Sequence, residues 1–186
     1  STGGDCSTIG TWDSASSTCV LSSEITDGVE IGANYITLDG NGHTISGPVG
    51  IKINGKFDVT VKNSNVQNGI DITSSKDITI TKNTITAPLN ALGMSNSIVI
   101  SNSNTIKISE NTITNSGVGI RLGSNVENIE ISNNQITRNG NGIYGYGATS
   151  GVTILGNTIS DNTNYGIYSM SGKIIGPKIA IKSGTN

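Results

Sequence analysis

The side chains with catalytic potential are few and loosely grouped. Lys107, Glu110, Glu127 and Glu130 form the densest set of charges, and Arg121 and Arg138 come near them if successive segments of the chain stack. Acidic residues working with a Lys or Arg base would suit proton transfer on a polar substrate. Yet Lys107 and Glu130 hold equivalent outward places on neighbouring segments, about 4.8 Å apart. Opposite charges so placed are already explained as a cross-strand ion pair. Asp39 and His43 have acid and base character, but they sit in DGNGHT, whose Gly and Asn content is that of a wide turn. A lone His also lacks a group to orient it. No catalytic residue is therefore assigned. His43 is the only histidine, and Met94 and Met170 stand isolated. Without a His, Met or Cys cluster, no metal and no cofactor is expected.

Aromatic residues supply a second kind of chemistry. Tyr144, Tyr146, Tyr165 and Tyr168 gather late in the chain, and Tyr144 and Tyr168 share one outward column. Rings on a flat face suit stacking on sugars, which makes Tyr144 and Tyr168 candidate glycan-binding residues; a covering for the last segments explains them equally well. A further outward column holds Thr37, Thr60, Thr79 and Thr153, but Lys107 and Glu130 interrupt it. The regular hydroxyl plane of an ice-binding face is thus lacking.

The elements that must position these residues are set by repetition. DITITKNTIT (77–86) nearly recurs as TIKISENTIT (105–114), with weaker copies NIEISNNQIT (128–137) and GVTILGNTIS (151–160). A first apolar column runs Ile51, Ile70, Ile98, Ile120, Ile143, Ile167, usually with Gly just before. A second runs Ile36, Val59, Ile78, Ile106, Ile129, Val152, each followed two residues later by Leu38, Val61, Ile80, Ile108, Ile131, Ile154. A third runs Ile45, Val66, Ile85, Ile113, Ile136, Ile159. Period-two patterning with β-branched residues means three short strands per repeat and excludes helix. The second-to-third gap is constant from Val59 onward, which implies a fixed bend. Two residues before the third column stand Ser64, Asn83, Asn111, Asn134 and Asn157. Asn tolerates the left-handed conformation of a tight bend, and stacked amides can bond to one another. Asn83, Asn111, Asn134 and Asn157 are therefore read as a structural ladder. The third-to-first gap varies and is longest around 87–96, so variable loops leave one edge, where a grafted site would be sought.

These features specify an all-β, right-handed, single-stranded parallel β-helix of about six to seven coils. Residues 1–24 form an irregular cap and residues 25–186 the β-helix, one domain overall. Cys6 and Cys19, an even pair at short spacing, point to a disulfide in the cap and an oxidising compartment; two buried free thiols are the alternative. The chain begins STGGDC with no Met, which points to a processed or trimmed chain. Its net charge of −2 gives no cationic stripe for nucleic acid, and no apolar run is long enough to span a membrane. The N-x-S/T glycosylation acceptor is absent.

LDGNGHTISG (38–47) and the repeated NTIT units resemble the NosD-like right-handed β-helix repeat proteins of secreted microbial origin, whose architecture is shared with pectate lyases. The resemblance covers most of residues 31–160, and the C…W…C segment is similar to caps of such secreted proteins. Lyases of this architecture use acidic residues, often with Ca²⁺, plus a Lys or Arg base; polygalacturonases and alginate epimerases carry Asp-rich or Asp-Pro-His-Asp-like motifs. Neither pattern occurs here. The copper suggested by the NosD name finds no ligand cluster. A shared fold does not transmit activity, so the expected role is a secreted or cell-surface structural protein, non-enzymatic, self-associating through its solenoid ends into filaments. The chain ends KIIGPKIAIKSGTN, with Ile179 and Ile181 reading as one more strand and no covering helix, while Pro177, Lys173, Lys178 and Lys182 would blunt such an edge. The alternative is a β-helix that binds or processes polysaccharide.

Overall fold

The computed structural model describes residues 3–88, 95–146, 149–169 and 180–182. The chain winds as a right-handed parallel β-helix with three sheets, each repeat giving one strand to each. Counted over the described residues, sheet 1, from the first column, has seven strands, from Val29–Glu30 to Tyr165–Ser169. Sheet 2, from the second, has eight, from the cap strand Gly10–Asp13 to Thr149–Leu155. Sheet 3, from the third, has seven, from Thr44–Ile45 to Ala180–Lys182. Every column is a register line: Ile51, Ile70, Ile98, Ile120, Ile143 and Ile167 face one another in turn. So do Ile36, Val59, Ile78, Ile106, Ile129 and Val152, and Ile45, Val66, Ile85, Ile113, Ile136 and Ile159. These side chains fill a single aliphatic core, with Ile36 and Ile167 partly covered at its ends. Burying each contributes roughly 1.5–3 kcal/mol, and a one-residue slip would turn a whole strand's apolar set outward.

The glycines before the first column have a steric cause. A Cβ at Gly142 would stand 3.0 Å from Ile159 Cγ2 and 3.0 Å from Asn162 Nδ2, and closer still to the Gly166 carbonyl; Gly119 is similarly enclosed by Ile136 and Gly142. The core and the next coil leave no room for a side chain there.

At the bend from sheet 2 to sheet 3 the structure corrects one expectation. Asn83, Asn111 and Asn134 are not the left-handed residues; the residues just before them are, with φ of 56° at Lys82, 58° at Glu110 and 56° at Asn133. The turn residue points to solvent, and the reversal delivers the following Asn side chain into the interior. There Asn83 N donates to Asn111 Oδ1, Asn111 N to Asn134 Oδ1 and Asn134 N to Asn157 Oδ1, at 2.8–2.9 Å. Each amide nitrogen returns a bond to the coil before, as Asn111 Nδ2 does to the Ile80 carbonyl at 2.9 Å. The other two bends repeat the device with different residues. Between sheets 3 and 1, Ser116 N donates to Asn139 Oδ1 and Asn139 N to Asn162 Oδ1. Between sheets 1 and 2, Lys56 N donates to Ser75 Oγ and Ser75 N to Ser103 Oγ.

The cap is a helical turn, Cys6–Ile9, followed by an antiparallel hairpin of Gly10–Asp13 and Thr18–Leu21. Its second strand joins sheet 2 in parallel, with Cys19 opposite Leu38. A disulfide links Cys6 and Cys19, both buried, and Trp12 packs against the end of the core. At the other end Ala180–Lys182 pairs with Thr158–Ser160, so Ile181 lies in a strand. Met94, Met170, Lys173, Pro177, Lys178 and Ile179 lie outside the described residues.

Candidate functional site

The charged residues do not converge. Lys107 and Glu130 are register partners on sheet 2, with Nζ 3.2 Å from Oε1. The Ser132 hydroxyl, donating at 2.8 Å, and Lys107 together hold the Glu130 carboxyl below the usual range. Glu110 sits at the bend toward sheet 3, 3.9 Å from Lys82, and Arg138 is a left-handed turn residue at the bend toward sheet 1. Arg121 lies on sheet 1, not beside Lys107. The wrapping of the coil places on different faces residues that stacking alone would group together. The Thr37, Thr60, Thr79, Lys107, Glu130, Thr153 column is a register line of sheet 2.

Asp39 and His43 have different partners. Asp39 is 3.3 Å from Lys62 Nζ and accepts bonds from Asn63 Nδ2 and the Asn41 amide. Burial pushes its pKa up, but these bonds and Lys62 outweigh it, and the carboxyl titrates below its ordinary value. His43 serves the wide turn through its backbone, accepting from the Asn65 amide. Among the described residues no group of three or more His, Cys, Asp or Glu could hold a metal ion, and no helix is long and apolar enough to cross a membrane.

What the fold does assemble is aromatic. Tyr144 and Tyr168 are register partners on the outward face of sheet 1, their rings stacked at 5.0 Å and 11°. Tyr165, three residues before Tyr168 on the same strand, leans on it at 5.0 Å, and Tyr146 lies 6.3 Å from Tyr144. Stacking consumes the facing sides of Tyr144 and Tyr168, so this pair forms a rigid base. Of these four rings, Tyr165, 53% exposed, and Tyr146, 36% exposed, are the more open to solvent. Arg121 completes the group: it is the register neighbour of Tyr144, its Cζ stands 4.8 Å from the Tyr146 ring centre, and Nη2 donates to the Tyr146 hydroxyl at 2.9 Å. Sequence reasoning set Arg121 among the charged residues. Its true signal was the register, since Arg121 precedes Tyr144 by one coil in the same outward column. Apart from Trp12 at the cap, the core contains no aromatic side chain; Tyr35 and Phe57 form a separate exposed edge-to-face pair, 4.8 Å apart.

The family model for the right handed beta helix region matches residues 49–182, well over half of the chain. No curated protein sequence matches. Among solved structures, the enzymatically active domain of bacteriophage CBA120 tailspike protein 2 is similar, with a TM-score of 0.50 and 16% identity over 86% of this chain and 31% of that one. The Dettilon tailspike protein is similar over 88% of this chain and 40% of its own, with a TM-score of 0.42 and 19% identity. The chain thus spans well under half the length of either, and at these identities the likeness is one of fold. On the family match and the solenoid topology, the chain belongs to the right-handed β-helix family.

Proposed function

We propose that the outward face of sheet 1 at its last strands binds carbohydrate. The carrying observation is the cluster of Tyr144, Tyr146, Tyr165 and Tyr168 with Arg121, held outside a core that needs no aromatics. Exposed, mutually braced rings on a sheet are a low-entropy contact surface for the apolar face of a sugar. The open rings of Tyr165 and Tyr146 are assigned the stacking, with the Tyr144–Tyr168 pair beside them. The buried disulfide favours a secreted protein, since such bonds persist in oxidising compartments. Within the family, LDGNGHTISG keeps NosD-like repeat proteins as the proposed subgroup. That a tailspike domain of similar fold is enzymatically active makes processing of the bound glycan an extension of this reading, with no residue assigned to it here. The test is depletion of the protein onto insoluble glycans: Tyr165→Ala with Tyr146→Ala should lose retention while keeping the wild-type melting temperature. Unchanged retention would refute the assignment.

A second reading, assembly of coils end to end, rests on one observation. Among the described residues no strand pairs with Tyr165–Ser169 on the side away from Asn141–Gly145, and such an edge is a template for another chain. The opposite end weighs against it, because sheet 2 closes there on an antiparallel cap strand. Electron microscopy over a concentration series separates the two: filaments support assembly, whereas monomers that still bind glycan leave only the first reading.

A further inference from the structure

The turn of chain before the first full coil is incomplete. Its hairpin extends sheet 2, and Ile25 bridges to Ile45 of sheet 3. Sheet 1 receives no strand from it: among the described residues that sheet begins at Val29–Glu30, paired on one side with Ile51–Asn54. We infer that this open edge of sheet 1 is a docking site for an extended segment of a partner protein. The segment adds as a further parallel strand and carries an apolar, cationic, apolar pattern.

Backbone, side chains and charge each point to such a strand. Val29 N and Ile31 N donate to the Gly50 and Lys52 carbonyls, each at 2.9 Å. Pairing alternates along a parallel strand, so the N–H and C=O of Glu30 between them turn to the open side. Such an edge is a template for strand addition. Beside it lies a cavity of about 430 Å³ whose walls include the Cys6–Cys19 disulfide, Trp12, Ile31, Ile36 and Leu38. It takes the inward side chains of the added strand, which continue the lines of Val29 and Ile31 in the core. Trp12 Nε1 is buried with no hydrogen-bond acceptor, a condition native interiors seldom keep; a carbonyl of the added strand supplies one.

The outward column sets the middle residue. Glu30, Lys52 and Asp71 follow one another in register and alternate in sign, as cross-strand partners should. One strand further out, the residue facing Glu30 is therefore a Lys or Arg. A second copy stacked head to tail does not meet this requirement, because its last strand of sheet 1 carries Tyr168 in that column.

The experiment titrates the protein with the acetylated, amidated peptide STIKITS. Trp12 is the only tryptophan and lines the cavity, so its fluorescence reports occupancy. The change should saturate, and hydrogen exchange at the Glu30 amide should slow. Methylating the amide nitrogen of the second isoleucine, the donor for the Glu30 carbonyl, should weaken binding roughly tenfold or more. STIEITS should bind roughly two- to tenfold more weakly than STIKITS. Glu30→Lys with Lys52→Glu, which keeps the alternation, should invert that preference. Trp12→Phe, followed by calorimetry, should lose roughly fivefold. Absence of saturable binding overturns the inference, as does an unchanged Glu30 amide. Equal binding of the methylated peptide overturns it in favour of a cavity for small apolar molecules. A preference that survives the charge swap refutes the assigned register, and self-association of the free protein that the peptide dissolves gives the edge to a second copy instead.

Discussion

Replacing Asn111 by Ala tests whether the repeated sequence specifies the scaffold through its bends. Asn111 is 2% exposed. Its Nδ2 donates to the Ile80 and Ser109 carbonyls and to Asn134 Oδ1, and its Oδ1 accepts from Asn83 N and Asn83 Nδ2. Not all of these losses are costly. Asn83 Nδ2 keeps the Val61 and Thr81 carbonyls, Ser109 O still accepts from Lys82 N, and Asn134 Oδ1 still accepts from Asn111 N. Asn83 N, however, loses its acceptor in a buried place, which costs about 1–3 kcal/mol, and the Ile80 carbonyl bond contributes about 1 kcal/mol more. The expected loss is therefore about 2–4 kcal/mol in urea unfolding followed by far-ultraviolet circular dichroism. Asn111→Ser should lose less, since Ser75 and Ser103 show that a hydroxyl can accept the neighbouring coil's N–H. Lys107→Ala, which breaks an ion pair whose Lys side chain is 52% exposed, should stay within about 1 kcal/mol. Equal losses for Asn111→Ala and Lys107→Ala would refute the reasoning.

Cys6→Ser with Cys19→Ser opens a loop of sequence separation 13 and should cost roughly 2–4 kcal/mol, seen first in the fluorescence of Trp12, the only tryptophan. The lowered pKa of Asp39 gives stability that is complete above the unfolded value of about 3.9 and lost as pH falls through the lower folded one. Asp39→Asn should thus be less stable than wild type at neutral pH, with the gap in urea midpoint closing as the pH falls through the lowered folded value; a gap independent of pH would contradict a carboxylate stabilised by the Asn41, Asn63 and Lys62 contacts. Gly142→Ala should cost about 1–3 kcal/mol or more because the Cβ meets Ile159 and the Gly166 carbonyl, whereas Gly32→Ala, with open space around it, should be nearly silent in thermal melts.

The apolar columns were legible because Ile and Val at period two leave only one inward register, and every column is found as a sheet line. The polar bends were legible only in part. The ladder through Asn83 and Asn111 stands at a constant distance from its column; Ser116, Asn139 and Asn162 likewise stand three residues after Ile113, Ile136 and Ile159, a constant spacing masked by the variable length of the rest of that gap. Ser75 and Ser103 were hidden because serine is common throughout the chain. The left-handed positions were misassigned for a physical reason: Lys82 and Glu110 are forced positive in φ by the bend, not by any preference of their own. The partnership of Arg121 with Tyr146 was illegible because it joins residues 25 apart across neighbouring coils.

All three bends share one polarity. The backbone N–H of Ser64, Asn83, Asn111, Asn134, Ser75, Ser116 and Asn139 finds its acceptor in the coil that follows it in sequence, never in the one before. During synthesis from the N-terminus, these backbone N–H groups therefore stay without their acceptors until the next coil emerges. The solenoid should close by a ratchet, each turn locking its predecessor, so that a pause in translation leaves one incomplete turn at the growing end rather than an unfolded chain.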